Sequence, residues 1–186
     1  KHEGVLAKLP FSVRQPLLSL RASIARRLGE PYEGLFEDQG CVQAWEASVL
    51  EGRLGDYELQ GVDPDAFVAD ESAAVVPLSC VVRVWNPTPR SGVRTLRTTA
   101  RRKSDTLVLD ISGQGAMRVW LDGTLIHRTD LTDRYAPRRS RFSVPVQPGA
   151  HVLELATSIP RDRAWVLVRA ADGQGNALTA TADGTQ

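Results

Sequence analysis

The chain has 186 residues, of which 42% are hydrophobic and 24% charged, a composition that is ordinary for a globular protein with a buried core. Lys and Arg together number 23 and Asp and Glu 22, so the net charge of +1 gives no long-range field that would select nucleic acid or an anionic membrane. No apolar run reaches the roughly 18 to 20 residues of a membrane-spanning helix, and no signal-peptide pattern opens the chain.

The first predicted element is a helix over residues 10–29, in which Pro16 suits the first turn and Gly29 supplies the stop. Its large apolar residues recur at steps of three and four, so we expect them to pack against the core. For the arginines we favour a solvated face over a membrane-binding or calmodulin-target-like helix. The apolar residues are Leu17, Leu20, Ile24 and Leu28, and the arginines are Arg14, Arg21, Arg26 and Arg27.

A second helix is predicted over residues 39–50, because Cys41, Trp45 and Val49 recur at four-residue steps. The two helices would form a helical hairpin within residues 1–55. Such a hairpin is too small to be stable alone.

Residues 56–73 are predicted to be an acidic linker, since glycines and a proline interrupt any periodicity among the carboxylates. Asp63 and Asp65 suggest a calcium loop, but the EF-hand spacing with its Gly and terminal Glu is absent. We therefore prefer a solvated connector. Calcium bound elsewhere in the following β region stays open.

Residues 74–172 carry the pattern of a mainly β fold, an antiparallel jelly-roll-like β-sandwich, and residues 173–186 are predicted to be a flexible tail. The pair Asp122-Gly123 lies between apolar runs and is a strong hairpin signal, because both central residues of a type I′ turn need positive φ. Apolar residues alternate with polar ones along the strands of 105–156: Leu107, Leu109, Met117, Val119, Leu121, Phe142, Val144, Leu153 and Leu155.

The chain has two cysteines, Cys41 and Cys80, and neither lies in a CxxC motif or beside a histidine cluster, so no metal site is expected. Paired, they would close a loop of about 40 residues, stabilise the fold by roughly 4 kcal/mol and indicate an oxidising compartment. Free, each would be a small buried hydrophobe. The sequence leaves both alternatives open.

Residues 115–126, with the hairpin VWLDG, are followed by a polar loop, by Pro148-Gly149 and by the strand AHVLEL. Together with Trp165 in the closing strand, this pattern resembles the galactose-binding-like and PA14-like β-sandwiches over about residues 80–170. The resemblance implies a carbohydrate-binding appendage of a glycosidase or an accessory domain of an extracytoplasmic bacterial protein.

Catalysis is not expected from this set of residues. A nucleophile needs a base, but His2 lies at the chain start, His127 ends a hairpin strand and His151 falls on an apolar strand face. A glycosidase needs two carboxylates in a cleft, whereas Asp122 is used by the turn and Glu154 points outward from its strand. No nucleophile elbow, metalloprotease helix, P-loop or dinucleotide motif is present, and no cofactor is expected.

Two surfaces are candidates for a ligand or partner. Strand alternation turns Trp120 and Arg118 outward, where Trp120 would either pack under the helical pair, which we favour, or form a recognition surface. The loop over 130–141 offers Tyr135 for sugar stacking. It also offers a group of arginines for an anionic partner, although we favour a solvated loop and consider nucleic acid unlikely: Arg134, Arg138, Arg139 and Arg141.

These observations predict a non-catalytic binding or protein–protein interaction module, cut from a larger extracytoplasmic bacterial protein. The alternative is a carbohydrate-binding accessory domain of a carbohydrate-active enzyme. A cytoplasmic location stays open as long as the pairing of the cysteines is open.

Overall fold

The computed structural model describes residues 3–6, 8–32, 34–37, 39–42, 45–50, 73–75, 80–85, 93–102, 105–130, 138–158, 163–178 and 180–181. Nearly all of the predicted acidic linker, 56–73, lies outside these residues.

Three helices precede the first strand: α1 (Glu3–Leu6), α2 (Phe11–Leu28) and α3 (Gly34–Glu37). Helix α2 confirms the helix predicted over 10–29. Gly29 ends it in the left-handed conformation, at φ 71°, and the Glu30 amide donates to the Ala25 carbonyl oxygen at 2.9 Å, as in a Schellman motif. Pro16 lies inside the helix rather than in its first turn, so that part of the prediction is wrong.

The second predicted helix, 39–50, is wrong. Residues 46–50 form a strand that pairs with residues 93–97, and the second arm of the hairpin is only the four-residue α3. Upstream of that strand, the backbone of Cys41 forms an isolated antiparallel β-bridge with that of Arg169. The Val42 amide donates to the Val168 carbonyl oxygen at 2.9 Å. Pairing with neighbouring strands therefore outweighs the local four-residue spacing.

Eleven strands are described. They are β1 (Glu46–Leu50), β2 (Ala73–Val75), β3 (Val81–Trp85), β4 (Val93–Arg102), β5 (Thr106–Gly113), β6 (Met117–Leu121), β7 (Thr124–Thr129), β8 (Arg138–Pro145), β9 (Gly149–Ser158), β10 (Arg163–Asp172) and β11 (Ala180–Thr181).

The strands form two antiparallel sheets, which confirms the predicted mainly β sandwich. The first sheet has the order β1-β4-β9-β6-β7, with β11 also paired to β4, and the second has the order β2-β3-β10-β5-β8. Because β11 adds to the first sheet, part of the tail predicted over 173–186 is a strand. The other predicted domain limits stay predictions.

The core lies between the sheets and uses the residues that alternate in the sequence. Leu109, Ile111, Val119, Leu155 and Val168 have no exposed surface. Each such side chain stabilises the fold by about 1.5 to 3 kcal/mol when it is fully removed from water. Core side chains therefore fill the inner faces of both sheets. A candidate binding surface is sought on the outer faces, the loops and the helices.

The predicted type I′ hairpin joins β6 to β7. Asp122 has φ 51° and Gly123 has φ 76°, as that turn requires. The Asp122 carboxylate also accepts the Val152 amide at 2.9 Å and contacts His151 Nδ1 at 2.6 Å. His151 is thus a buried, hydrogen-bonded residue that fastens the turn to β9.

Candidate interaction surface

Helix α2 has two apolar faces, and the buried one is not the face that was predicted to pack against the core. Leu18 is 4% exposed and Ala22 and Ala25 are similarly buried, whereas Leu20 is 58% and Ile24 49% exposed. The prediction that the larger residues face the core is therefore wrong. We call the exposed line of residues the α2 stripe: Val13, Leu17, Leu20, Ile24 and Leu28.

A polar cluster attaches the inner face of α2 to the second sheet. Gln39 is buried and lies at its centre: the Gln15 side-chain amide donates to the Gln39 carbonyl oxygen, and the Ser19 hydroxyl donates to Gln39 Oε1 at 2.8 Å. Arg169 of β10 donates to the Ser19 hydroxyl at 3.2 Å and to Gln39 Oε1 at 3.3 Å. These bonds join the helix, the segment after α3 and the sheet.

A disulfide between Cys41 and Cys80 closes this cluster, with the two Cα atoms 5.0 Å apart. The Arg169 guanidinium donates to Cys80 Sγ at 3.5 Å. Burial lowers the pKa of Arg169, while the charge of Asp110 opposes that effect. The cluster under α2 is thus both covalently and electrostatically tied to the sandwich.

The α2 stripe borders a shallow groove of about 260 Å³ between α2 and the segment that leads into α3. Its apolar lining comes from Leu17, Leu20 and Ile24 on the helix and from Pro31 and Leu35 opposite. Arg21 and Glu30 also line it. This concave, mainly apolar surface has room for a large apolar side chain of another molecule.

Helix α2 is also strongly basic. It contains four arginines and no Asp or Glu: Arg14, Arg21, Arg26 and Arg27. Arg21, Arg26 and Arg27 are exposed. The overall charge of +1 therefore conceals a local concentration of positive charge beside the α2 stripe.

Trp120 and Arg118 do not form the exposed recognition surface, so that alternative is wrong. Trp120 is covered, as the favoured alternative requires, but it lies in the first sheet, whereas α2 is attached to the second. Trp120 is 2% and Arg118 5% exposed, and all five residues of β6 are buried. The Arg118 guanidinium donates to the carbonyl oxygens of Met117 at 2.9 Å and Thr129 at 3.0 Å, and forms an ion pair with Asp130 at 2.8 Å. Alternation showed which face these side chains occupy, but not that this face is covered.

The arginine-rich loop is described only in part. Arg134 and Tyr135 lie outside the described residues, and Arg138 is described only as the first residue of β8. Arg139 is exposed but donates to the buried Asp110 carboxylate at 2.8 Å, which raises the pKa of the guanidinium. Arg139 therefore has a structural role, and the roles predicted for Arg134, Tyr135 and Arg138 stay predictions.

The carboxylates considered for catalysis also have structural surroundings. Asp110 is bonded to Arg139, Asp122 belongs to the turn, and Glu154 is 7% exposed rather than facing solvent. In the described part of the chain, no three His, Cys, Asp or Glu side chains are grouped so that they would hold a metal ion. Within the same residues, no helix has the length and apolar character that crossing a membrane demands.

The α2 stripe is the feature that sequence reasoning missed. The signal was present, because Leu18, Ala22 and Ala25 form a second apolar face beside the one with larger residues. Only one of two such faces can pack on a single sheet.

No protein-family model and no curated protein matches this sequence. The fold defines the class instead: an antiparallel two-sheet β-sandwich, the architecture of the galactose-binding-like and PA14-like domains that the sequence resembles.

Several solved structures match. The PA14 sugar-binding domain from RTX adhesin is 12% identical with a TM-score of 0.43, over 75% of this chain and 94% of that domain. The β-glucosidase from Kluyveromyces marxianus in complex with glucose is 12% identical with a TM-score of 0.46, over 81% of this chain and 21% of that one. The GH31 α-xylosidase from Xanthomonas citri is 11% identical with a TM-score of 0.38, over 72% of this chain and 14% of that one.

The chain thus spans about one fifth or less of each glycosidase. At these identities and TM-scores the matches assign no ligand, so the function has to be inferred from the side chains of this chain.

Proposed function

We propose that this protein is a non-catalytic interaction module that binds a protein partner through the α2 stripe. Isolated exposed leucines are ordinary on protein surfaces, but a contiguous line of them beside an apolar groove is typical of a recognition site. The observation that carries the proposal is the exposure of Leu20 and Ile24 while the opposite side of the same helix is packed.

The attachment of α2 favours binding with little rearrangement. The Gln39 cluster and the Cys41–Cys80 disulfide hold the helix on the sandwich before any partner arrives. A surface that is ordered in advance loses less conformational entropy on binding than a free helix would. The sandwich would therefore serve as a rigid platform for the α2 stripe.

We also propose an extracytoplasmic location, as part of a larger bacterial protein. The disulfide supports this proposal, because disulfides persist in oxidising compartments and are rare in the cytosol.

Binding to carbohydrate is the alternative, and it would use Tyr135 and the neighbouring arginines. Among the residues predicted for this alternative, Arg139 has side-chain contacts that the structure describes. Its guanidinium already donates to the Asp110 carboxylate. The protein-binding proposal has the stronger support, since it rests on a surface that is accessible in the structure.

Selection from a displayed library of random 15-residue peptides tests the proposal. We expect selected peptides to bind the double variant Leu20→Glu/Ile24→Glu at least about tenfold more weakly than the unchanged protein, since two charges replace the apolar contacts. Leu125→Glu is the control, because Leu125 is also an exposed leucine but lies on β7 in the first sheet.

Two results would contradict the proposal. One is that no peptide is enriched, or that the enriched peptides bind the double variant as well as the unchanged protein. The other is specific binding on a glycan array that survives the double substitution, which would favour the carbohydrate alternative.

A further inference from the structure

We propose that His151 is a proton-dependent clasp between two connections at one end of the sandwich. Its ring lies between the β6–β7 turn and the connection from β8 to β9. The imidazolium form bonds to both connections, and a ring that has lost one proton bonds to only one of them. The clasp involves neither α2 nor its exposed face, so it is independent of the proposed function.

Each ring nitrogen of His151 faces an oxygen atom. Nδ1 lies 2.6 Å from Asp122 Oδ2, and Nε2 lies 2.6 Å from the carbonyl oxygen of Gln147. A carbonyl oxygen and an ionised carboxylate accept hydrogen bonds and donate none. Both nitrogens must carry a proton for both bonds to form, and the imidazolium is the form of the ring that has two N–H groups.

A neutral ring cannot make both contacts. It would donate to one oxygen and turn the lone pair of its other nitrogen towards the second oxygen, so that one contact would have to open. The side chain of His151 is 11% exposed, which leaves little room for water to replace the lost partner. Loss of the proton therefore costs a hydrogen bond at one of the two connections.

Two elements packed against the ring carry charged residues. On the β6–β7 turn, the Asp122 carboxylate contacts the ring directly and favours its charged form. On β4, Ala100 lies opposite His151, and Arg102 lies opposite Gly149 and so on the same face by register. A cation at that position opposes protonation of the ring. The carboxylate has the larger effect because it is in hydrogen-bond contact.

The proton links the clasp to pH. A histidine in the unfolded chain has a pKa of about 6.5. Hydrogen bonds to the charged form raise the pKa of the ring in the folded state, so the folded chain holds this proton more tightly. The clasp then contributes its full stabilisation below pH 6.5 and loses it as the pH rises through the folded pKa.

The variant Asp122→Asn separates the charge of the clasp from its shape. The amide oxygen can still accept the Val152 N–H, and the amide NH₂ can donate to Nδ1 of a neutral ring, so the contacts persist without the second ring proton. Ring ¹⁵N spectra of the full chain at pH 7.0 measure the protonation state. We expect both ring nitrogens of His151 to be protonated in the unchanged protein, and Nε2 alone in Asp122→Asn.

Urea unfolding at pH 6.5 and pH 8.5 measures what the proton does for stability. We expect the unfolding equilibrium constant of the unchanged protein to rise at least about threefold between the two pH values, relative to that of Asp122→Asn. Glu30→Gln is the control, because it also removes an exposed carboxylate but at the end of α2, away from the ring. It should keep the rise.

Three results would overturn the inference. A single ring proton on His151 in the folded, unchanged protein at pH 7.0 would show a neutral ring and exclude the clasp. Two ring protons in Asp122→Asn would show that the carboxylate does not hold the second one. Equal changes in the unfolding constants of the two proteins would show that the proton does not fasten the connections. The first result requires the unchanged protein alone, so it decides the matter even where Asp122→Asn does not fold.

Discussion

At the scale of single residues, Asp122 shows how one side chain joins two levels of structure. The local sequence makes it a turn residue, since Asp tolerates the positive φ of 51° that it adopts. Its carboxylate then reaches across to β9, where it accepts the Val152 amide and contacts His151. The turn was predictable from the pair Asp122-Gly123, but the partners of the carboxylate depend on the sheet order.

We predict that Asp122→Ala lowers the free energy of unfolding by about 1 to 3 kcal/mol, because Ala is strained at this φ and accepts neither hydrogen bond. Asp122→Asn is the matched control, since Asn tolerates the conformation and its Oδ1 can still accept the Val152 amide. Urea unfolding of both variants measures the effect. A loss as large in Asp122→Asn would show that the contact of the carboxylate with His151, rather than turn geometry, is what matters.

His127 carries a pH dependence. Its ring stacks on Phe142 with the centroids 4.7 Å apart, and burial lowers the pKa of the imidazole below its usual value of 6.5. The unfolded chain therefore binds a proton more readily than the folded one. Stability is fully present above pH 6.5 and declines as the pH falls below that value.

The corresponding prediction is that His127→Gln reduces the loss of stability between pH 7.5 and pH 5.5, because the variant removes the titrating group. Unfolding midpoints in urea at the two pH values provide the measurement, and NMR titration of the His127 ring should give a pKa below 6.5. A ring pKa above 6.5 would contradict the assignment.

At the scale of elements, helix α2 shows what a periodic pattern leaves undecided. The pattern predicted the helix, its length and its glycine stop, because those depend on local chemistry. It did not predict the packed face, since both Leu18 with its alanines and Leu20 with its neighbours are apolar. Ala22 and Ala25 are buried on the packed side, and Gln15 and Ser19 on that side donate hydrogen bonds to Gln39.

The segment over 39–50 was wrongly predicted to be a helix, because its conformation depends on distant residues and not on local chemistry. Its four-residue spacing is short enough to arise by chance, and the conformation is set by distant partners: β4 pairs with residues 46–50 and β10 with Val42. A local pattern cannot contain contacts with residues that lie 43 or more positions away in the chain, as all of these partners do. Strand β1 consequently extends the first sheet instead of completing a helical hairpin.

At the scale of the whole molecule, the sandwich followed from the sequence because alternation, hairpin chemistry and turn residues all agreed. A covered Trp120 was the favoured alternative, but the burial of Arg118 did not follow, since alternation assigns a residue to a face without showing what lies over it. The candidate site was not predicted either, because it consists of apolar residues that were expected to pack in the core.

The disulfide ties the segment after α3 to the sandwich. It joins Cys41, two residues after the buried Gln39, to Cys80, the residue before β3, across 39 positions of sequence. Both ends lie within the cluster that holds α2 through Ser19 and Arg169. The sandwich and the helix are in this way one unit, and the α2 stripe has a fixed position on it.

The α2 stripe is tested most directly by the accessibility of the two faces of α2, measured by placing a single new thiol at Leu18 or at Leu20. With the native disulfide intact under non-reducing conditions, we predict that the thiol of Leu20→Cys reacts with a small disulfide reagent at least about tenfold faster than that of Leu18→Cys. Equal rates after unfolding in urea confirm that the difference comes from the fold. Faster reaction at position 18 would show that the large apolar residues face the core and would remove the interaction surface on which the proposed function depends.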